Sequence, residues 1–439
     1  MKPKPPMRYL AGLILVVTLL TTLACTAGPP DSQQPRAQIA YAQSNAPRIT
    51  TPSVSAEDQA QLTAGNQAFA LDLYRYLADR ADGNLFLSPH SISVALAMTY
   101  AGARGTTETE MAQTLHFTLP GDRLHAAFNQ LDLALSRRGE GAEGKDDEGF
   151  RLHVVNALWG QQEHPFQDAY LDALARNYGA GIRLVDFVND AEAARIAIND
   201  WVGEQTEGRI EDLIPQGALD ALTRLVLTNA IYLNAAWAEP FIKEATRDGD
   251  FFLLDGATVQ VPLMRQVAAF RYAAGAGYQA IELPYDGGEL SMVILLPDTG
   301  QFKAFEQSLD QPLLVSILNS LSYQQIDLTM PRFEIAAKFG LTDALSALGM
   351  PQAFTEEADF SGIDGTQELL ISDVIHQTFI SVDEAGTEAA AATAVVVGIT
   401  SSPAEPQQVR VDRPFIFLIR DIETGALLFA GRTLNPANS

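Results

Sequence analysis

The sequence predicts an α+β fold in a single domain, and two observations carry that reading. Segments suited to strands and segments with helical periodicity alternate without a βαβ rhythm. No composition break divides residues 57–439, and no internal repeat is evident there. With 47% hydrophobic and 19% charged residues, the chain can bury a large core. Its formal net charge of -25 argues against nucleic acid or an anionic membrane surface as a partner, because phosphate neutralisation needs clustered Lys and Arg. Cys25 is the sole cysteine, so neither an internal disulfide nor a cysteine-based zinc site is available.

Residues 1–25 read as an export signal. Lys2, Lys4 and Arg8 precede an uncharged apolar run over 9–24 that ends in small residues. Thr22-Leu23-Ala24-Cys25 is similar to the bacterial lipoprotein cleavage signal, in which the cysteine is lipidated and becomes the mature N-terminus. That pattern prefers an aliphatic residue where Thr22 stands, so simple cleavage and an uncleaved anchor stay open. Residues 26–56 carry five prolines, from Pro29 to Pro52, among Gln, Ser and Ala. The composition is too poor in large apolar residues to fold and predicts a disordered tether.

The globular part is expected from residue 57, where Phe69, Leu73, Tyr76 and Leu77 share one helical face. A short buried strand at 85–87 follows, and Ser88-Pro89 then suits a helix cap with proline in the first turn. The helix over 92–101 is apolar nearly all round, which predicts a central position. Further helices are expected at 107–115, 122–138, 168–178 and 191–203. Strands are expected at 151–159, 182–187, 225–233, 280–283, 290–296, 326–330, 369–382 and 415–419. The segment 369–382 is long for a strand. Gly139 to Gly144 has the spacing of a dinucleotide-binding glycine motif, but a helix precedes it and Glu140 and Glu143 would repel phosphate; it reads as a solvated acidic loop.

The segment 369–382 feeds into Glu384, Ala385, Gly386, Thr387, Glu388, Ala389, Ala390, Ala391, Ala392 and a run of small or β-branched residues to Thr400. Ser401, Ser402, Pro403 and Pro406 close it. From Gly386 to Gln408 there is no Lys, Arg or aromatic residue. Both a buried Ala/Val segment and an exposed excursion fit this composition; the bounding Gly and Pro favour the excursion. Nucleophile-elbow, zinc-protease and phosphate-loop motifs are all missing, and the six histidines show no ligand spacing. No cofactor, no metal and no enzymatic activity are expected, although a triad built from distant residues has no sequence signature.

Several pieces together resemble one family. They are Asn84-Leu-Phe-Leu-Ser-Pro-His-Ser-Ile92, Gly102 to Thr106, Asn156-Ala-Leu-Trp159, Ile198 to Val202 with Thr206 to Ile210, and Leu227 to Trp237. Asp383 to Ala390, Asp412 to Leu418, Gly431-Arg432 and Asn435-Pro436 complete the set. In this order and spacing the chain from residue 57 to 436 resembles a serpin, in a bacterial exported, lipoprotein-like form.

The resemblance implies three β-sheets with about nine helices and an exposed reactive-centre loop. It implies irreversible inhibition of a protease: the loop is cleaved as a substrate and inserts as a new strand in the main sheet, with the acyl-linked protease carried along. Carried over by position, residues 384–392 form the hinge and Thr400-Ser401 the scissile bond, with Ile399 and Ser402 as neighbours. These side chains suit elastase- or subtilisin-like serine proteases, with cysteine proteases as further targets. Asn84, Ser88, Ser91, Asn229 and His376 match the family's polar cluster beneath the main sheet, and Trp237 the tryptophan where insertion begins. Residues 122–138 lack the basic patch of glycosaminoglycan-activated members, so no heparin activation is expected. A monomer is expected, exported to the cell surface or beyond and joined to the membrane only through lipidated Cys25. A non-inhibitory serpin acting as a binding or folding partner is the alternative.

Overall fold

The computed structural model describes residues 39–142, 150–387 and 405–438. The export signal and Cys25 lie outside them, as do Glu388, Ala389, Ala390, Ala391, Ala392, Ile399, Thr400, Ser401 and Ser402. Residues 39–439 cluster as one compact unit.

The chain opens with β1 (Ala40–Ala42) and α1 (Ala56–Ala78), whose first turn is capped by the Ser55 hydroxyl accepting from Asp58 N–H. Then come β2 (Leu85–Leu87), α2 (Pro89–Tyr100), α3 (Gly105–Thr114) and α4 (Gly121–Leu135). Ser88 caps α2 with Pro89 in its first turn, and the helix is buried nearly all round, as its composition predicts. Next are β3 (Arg151–Gln161), α5 (Asp168–Tyr178), β4 (Ile182–Val185), α6 (Phe187–Gln205) and β5 (Leu225–Ala236). The strands β6 (Arg247–Phe252), β7 (Thr258–Gly275), β8 (Tyr278–Pro284) and β9 (Leu290–Pro297) lead to α7 (Phe302–Ser308) and α8 (Gln311–Ser320). After β10 (Ser322–Pro331), β11 (Phe333–Gly340), α9 (Thr342–Leu348) and α10 (Ser361–Asp364) come β12 (Val374–Val382) and β13 (Gly386–Thr387). Finally β14 (Gln407–Arg410), β15 (Phe415–Asp421) and β16 (Leu427–Thr433) complete the fold.

Among the described residues the strands form two hydrogen-bonded ladders where three sheets are implied, because β7 is long enough to serve two sheets as one continuous strand. The main sheet has the order β1-β4-β3-β5-β13-β12-β11. Its ladder is antiparallel except at two places, β3 with β4 and β5 with β12. The inner face of this sheet lies on α2 and the large core; its outer face is covered by α6 through a separate cluster of Trp159, Phe187, Ile198, Val226 and Ile375. Paired strand structure begins at Val374 rather than at residue 369. Leu369 and Ile371 are buried, and their alternation mimics a strand, but they lie outside the ladder.

Part of the segment read as a tether is packed against the body. β1 pairs antiparallel with the edge strand β4, Ala40 opposite Leu184 and Ala42 opposite Ile182. Backbone pairing needs few large apolar side chains, which is why composition gives no sign of it.

Candidate functional site

Two places on the main sheet hold the expected residues: the seam between β5 and β12, and the top of that seam where β13 enters.

Across the seam, β5 and β12 pair directly, Leu227 to Ile231 against Val374 to Thr378, with Asn229 opposite His376. No strand stands between them over this span. Beneath it the polar side chains converge. The Ser88 N–H at the cap of α2 donates to His376 Nε2 at 2.9 Å. That acceptor role fixes the tautomer, so His376 Nδ1–H donates to Asn229 Oδ1. Asn229 Nδ2 in turn donates to Ser91 Oγ and to Asn156 Oδ1, each at 2.6 Å, and Ser91 Oγ donates to Asn156 Oδ1 at 2.8 Å. The Ser88 hydroxyl donates to the Leu428 carbonyl at 2.7 Å. The cluster thus ties β3, β5 and β12 to one helix terminus, and its buried polar groups find partners as low dielectric demands.

Asn84 is not in this cluster. Its Nδ2 donates to the Asn435 and Asn438 carbonyls, and its Oδ1 accepts from the Leu434 and Asn435 N–H groups. It fastens the C-terminal segment instead. Asn156 takes the place in the cluster, because β3 and β5 pair in register with Asn156 opposite Asn229.

Burial pushes the His376 imidazole down to about 3. In an unfolded chain it titrates near its ordinary value of 6.5. The native state therefore binds fewer protons between these values, and stability present above about pH 6.5 is lost as pH falls toward 3. Burial drives His90 and His125 the same way, each to about 4. Unfolding free energies from urea titrations between pH 7 and pH 4.5 should fall steadily, and His376→Gln should flatten the slope by about 1.4 kcal/mol per pH unit. An unchanged slope would contradict the assigned neutral His376.

At the top of the seam the chain leaves β12 at Val382, turns at 383–385, and re-enters as β13 between β5 and β12. Val382 is opposite Thr387, Gly386 opposite Ala236 and Thr387 opposite Ala235. Trp237 caps this turn: its N–H donates to the Ala385 carbonyl and its Nε1–H to the Asp383 carbonyl, both at 2.9 Å. Its ring stacks on Tyr285 at 4.7 Å between centroids. The Tyr285 hydroxyl and Thr387 Oγ1 are 2.8 Å apart, and both side chains are buried. Gly386 has φ of 157°, and a Cβ there would stand 2.2 Å from the Ala235 carbonyl oxygen. Only glycine allows this close approach to β5.

Glu384 is fixed rather than free. Arg332 Nε donates to its carboxylate at 2.9 Å, and Arg332 Nη2 and the Thr246 hydroxyl also bond it. Burial pushes its carboxyl up, but these bonds outweigh that and hold it below the ordinary value. Phe241 N–H donates to its carbonyl at 2.8 Å. Arg332, Thr246 and Tyr285 are contributions that only the fold reveals, since each lies far in sequence from the residue it holds. Beyond residue 404 the chain is anchored again by β14, which pairs parallel with β10, Gln407 opposite Ile326.

The main sheet thus has a parallel β5–β12 pair with an antiparallel strand, β13, started between its upper ends. Residues 64–436 match the family described as Serpin (serine protease inhibitor), and the chain belongs to that family. A serpin-like protein of Thermococcus kodakarensis is 43% identical over 374 residues, covering 84% of each chain. The leukocyte elastase inhibitor of Sus scrofa is 38% identical over 386 residues, covering 86% of this chain and 100% of its own. Among solved structures, uncleaved ovalbumin superposes with a TM-score of 0.76 at 27% identity, covering 86% of this chain and 100% of its own.

Proposed function

We propose that the protein is an irreversible suicide inhibitor of serine proteases with elastase- or subtilisin-like pockets. The observation that carries this reading is β13, a strand already begun between β5 and β12 and directed down the seam. Continued in the same register, it brings Thr393 opposite both Asn229 and His376. Thr387, Ala389, Ala391 and Thr393 then face the core with the period of two that a strand imposes, and each is small enough to enter.

In the reaction, the protease serine oxygen attacks the carbonyl carbon of Thr400, and the bond to the Ser401 nitrogen breaks. Ser401 leaves as a new amino terminus, and an ester joins Thr400 to the protease. Insertion of the freed segment draws that ester away from the protease oxyanion site before water can attack it. The hinge is residues 384–392, with Glu384 and Gly386 as its fixed pivot and Glu388, Ala389, Ala390, Ala391 and Ala392 as the part that enters. Ser88, Ser91, Asn229 and His376, with Asn156, set how readily the seam parts. The chain works outside the cell, anchored through lipidated Cys25, as its first 25 residues suggest; the similarity to a leukocyte elastase inhibitor supports the choice of target.

Incubation with elastase and with a subtilisin-type protease should yield an adduct that survives denaturing electrophoresis, together with a small released C-terminal fragment. The fragment's mass should begin at Ser401. Cleavage between residues 399 and 402 with the protease left fully active would contradict the proposal and favour a non-inhibitory serpin.

A further inference from the structure

The segment from residue 39 to 55 is fastened at both ends to parts of the molecule that insertion must displace relative to each other. β1 extends the main sheet beyond β4. On the outer face, Ile39 joins the cluster under α6, and Tyr41 meets Arg183, whose guanidinium lies 4.0 Å from the Trp201 ring. On the inner face, Ala42 packs on the main core.

A few residues further on, the segment is tied to helices behind the sheet. Arg48 Nε donates to Asn129 Oδ1 of α4 at 3.0 Å, and its Nη2 donates to Asp132 at 2.5 Å. Asn129 Nδ2 donates back to the Ile49 carbonyl at 2.7 Å, and Ile49 N–H donates to the Arg176 carbonyl of α5 at 2.9 Å. The Ser44 hydroxyl bonds Asp172 of α5.

Insertion widens the sheet between β5 and β12 by one strand spacing, about 4.8 Å. β11 and β12 are held to the second sheet: Phe333 packs on Phe415 and Phe417, with centroids 5.6 and 5.0 Å away, and Thr378 bonds the Phe86 carbonyl. The β1–β4–β3–β5 ladder is therefore the part that shifts. A displacement of that size is larger than the reach of the Arg48 and Ile49 hydrogen bonds.

We infer that residues 39–55 are a strap that restrains this ladder, so that the uncleaved sheet stays closed and the intact loop does not insert on its own. The inference rests on the loop-insertion reading above. The strap acts on the rate of opening through contacts that exist only in the closed sheet.

The test uses the full chain. Arg48→Ala and Tyr41→Pro should each shorten, by about 10-fold, the half-time for conversion of the uncleaved protein to a form that resists heat, with intact mass confirming the uncleaved loop. Half-times within twofold of the parent would overturn the strap, even if the unfolding midpoint fell. A second measurement needs no variant. Amide exchange at Ile49, whose N–H donates to the Arg176 carbonyl, should be slow in the intact parent and at least about 10-fold faster after loop cleavage. If cleavage raises the thermal midpoint and this amide stays protected, the strap is wrong and insertion stands. If cleavage leaves the midpoint unchanged, insertion itself is wrong and the strap falls with it.

Discussion

Thr387→Arg is expected to turn the protein from an inhibitor into a substrate. Thr387 sits at the mouth of the seam, 1% exposed, with its hydroxyl against that of Tyr285. An arginine there must either bury its guanidinium without an anionic partner, at a cost of several kcal/mol, or hold β13 out of the sheet. Both outcomes slow insertion while leaving cleavage and ester hydrolysis alone. Each 1.4 kcal/mol added to the insertion barrier slows it about tenfold, so a penalty of about 3 kcal/mol or more shifts the ratio of hydrolysis to insertion by at least about 100-fold. The covalent adduct should all but vanish, and the protease should recover while the loop is consumed. Thr387→Val separates this effect from a loss of stability. It removes only the Tyr285 contact, worth about 1 kcal/mol, and should still trap protease. An arginine variant with unchanged stoichiometry would remove Thr387 from the hinge.

How far the sequence could be read depends on what kind of signal each residue leaves. The small-residue run bounded by Gly386 and Pro403 is visible in composition because Lys, Arg and aromatic rings are all excluded at once. Ser88, Ser91, Asn229 and His376 were legible through the pieces that carry the family resemblance, and the fold brings all four together. Asn84 is placed with them by the same family resemblance, yet its side chain points to the C-terminal segment. Asn156 enters through strand register, which no short motif contains. The resemblance marks Glu384 as the expected start of the hinge, but its locking by Arg332 and Thr246 depends on distant chain segments meeting. The strap was hidden for a physical reason: it holds on mainly by backbone pairing and polar side chains such as Arg48 and Ser44, and composition reports mainly buried apolar area.

Strand insertion makes one further strong demand, on the energy of the sheet. In the intact protein β5 and β12 pair with each other at the seam, so a strand inserted there trades one ladder for two. Residues 388–399 would add on the order of 20 hydrogen bonds at about 1 kcal/mol each. The native protein is in that case held by a barrier and not by its free energy. At this chain length a kcal/mol is worth about 1–2 °C. The thermal midpoint of the protein cleaved between residues 399 and 402 should therefore exceed that of the intact protein by roughly 20 °C or more. A cleaved protein that melts at or below the intact midpoint would contradict strand insertion, and with it the proposed mechanism of inhibition.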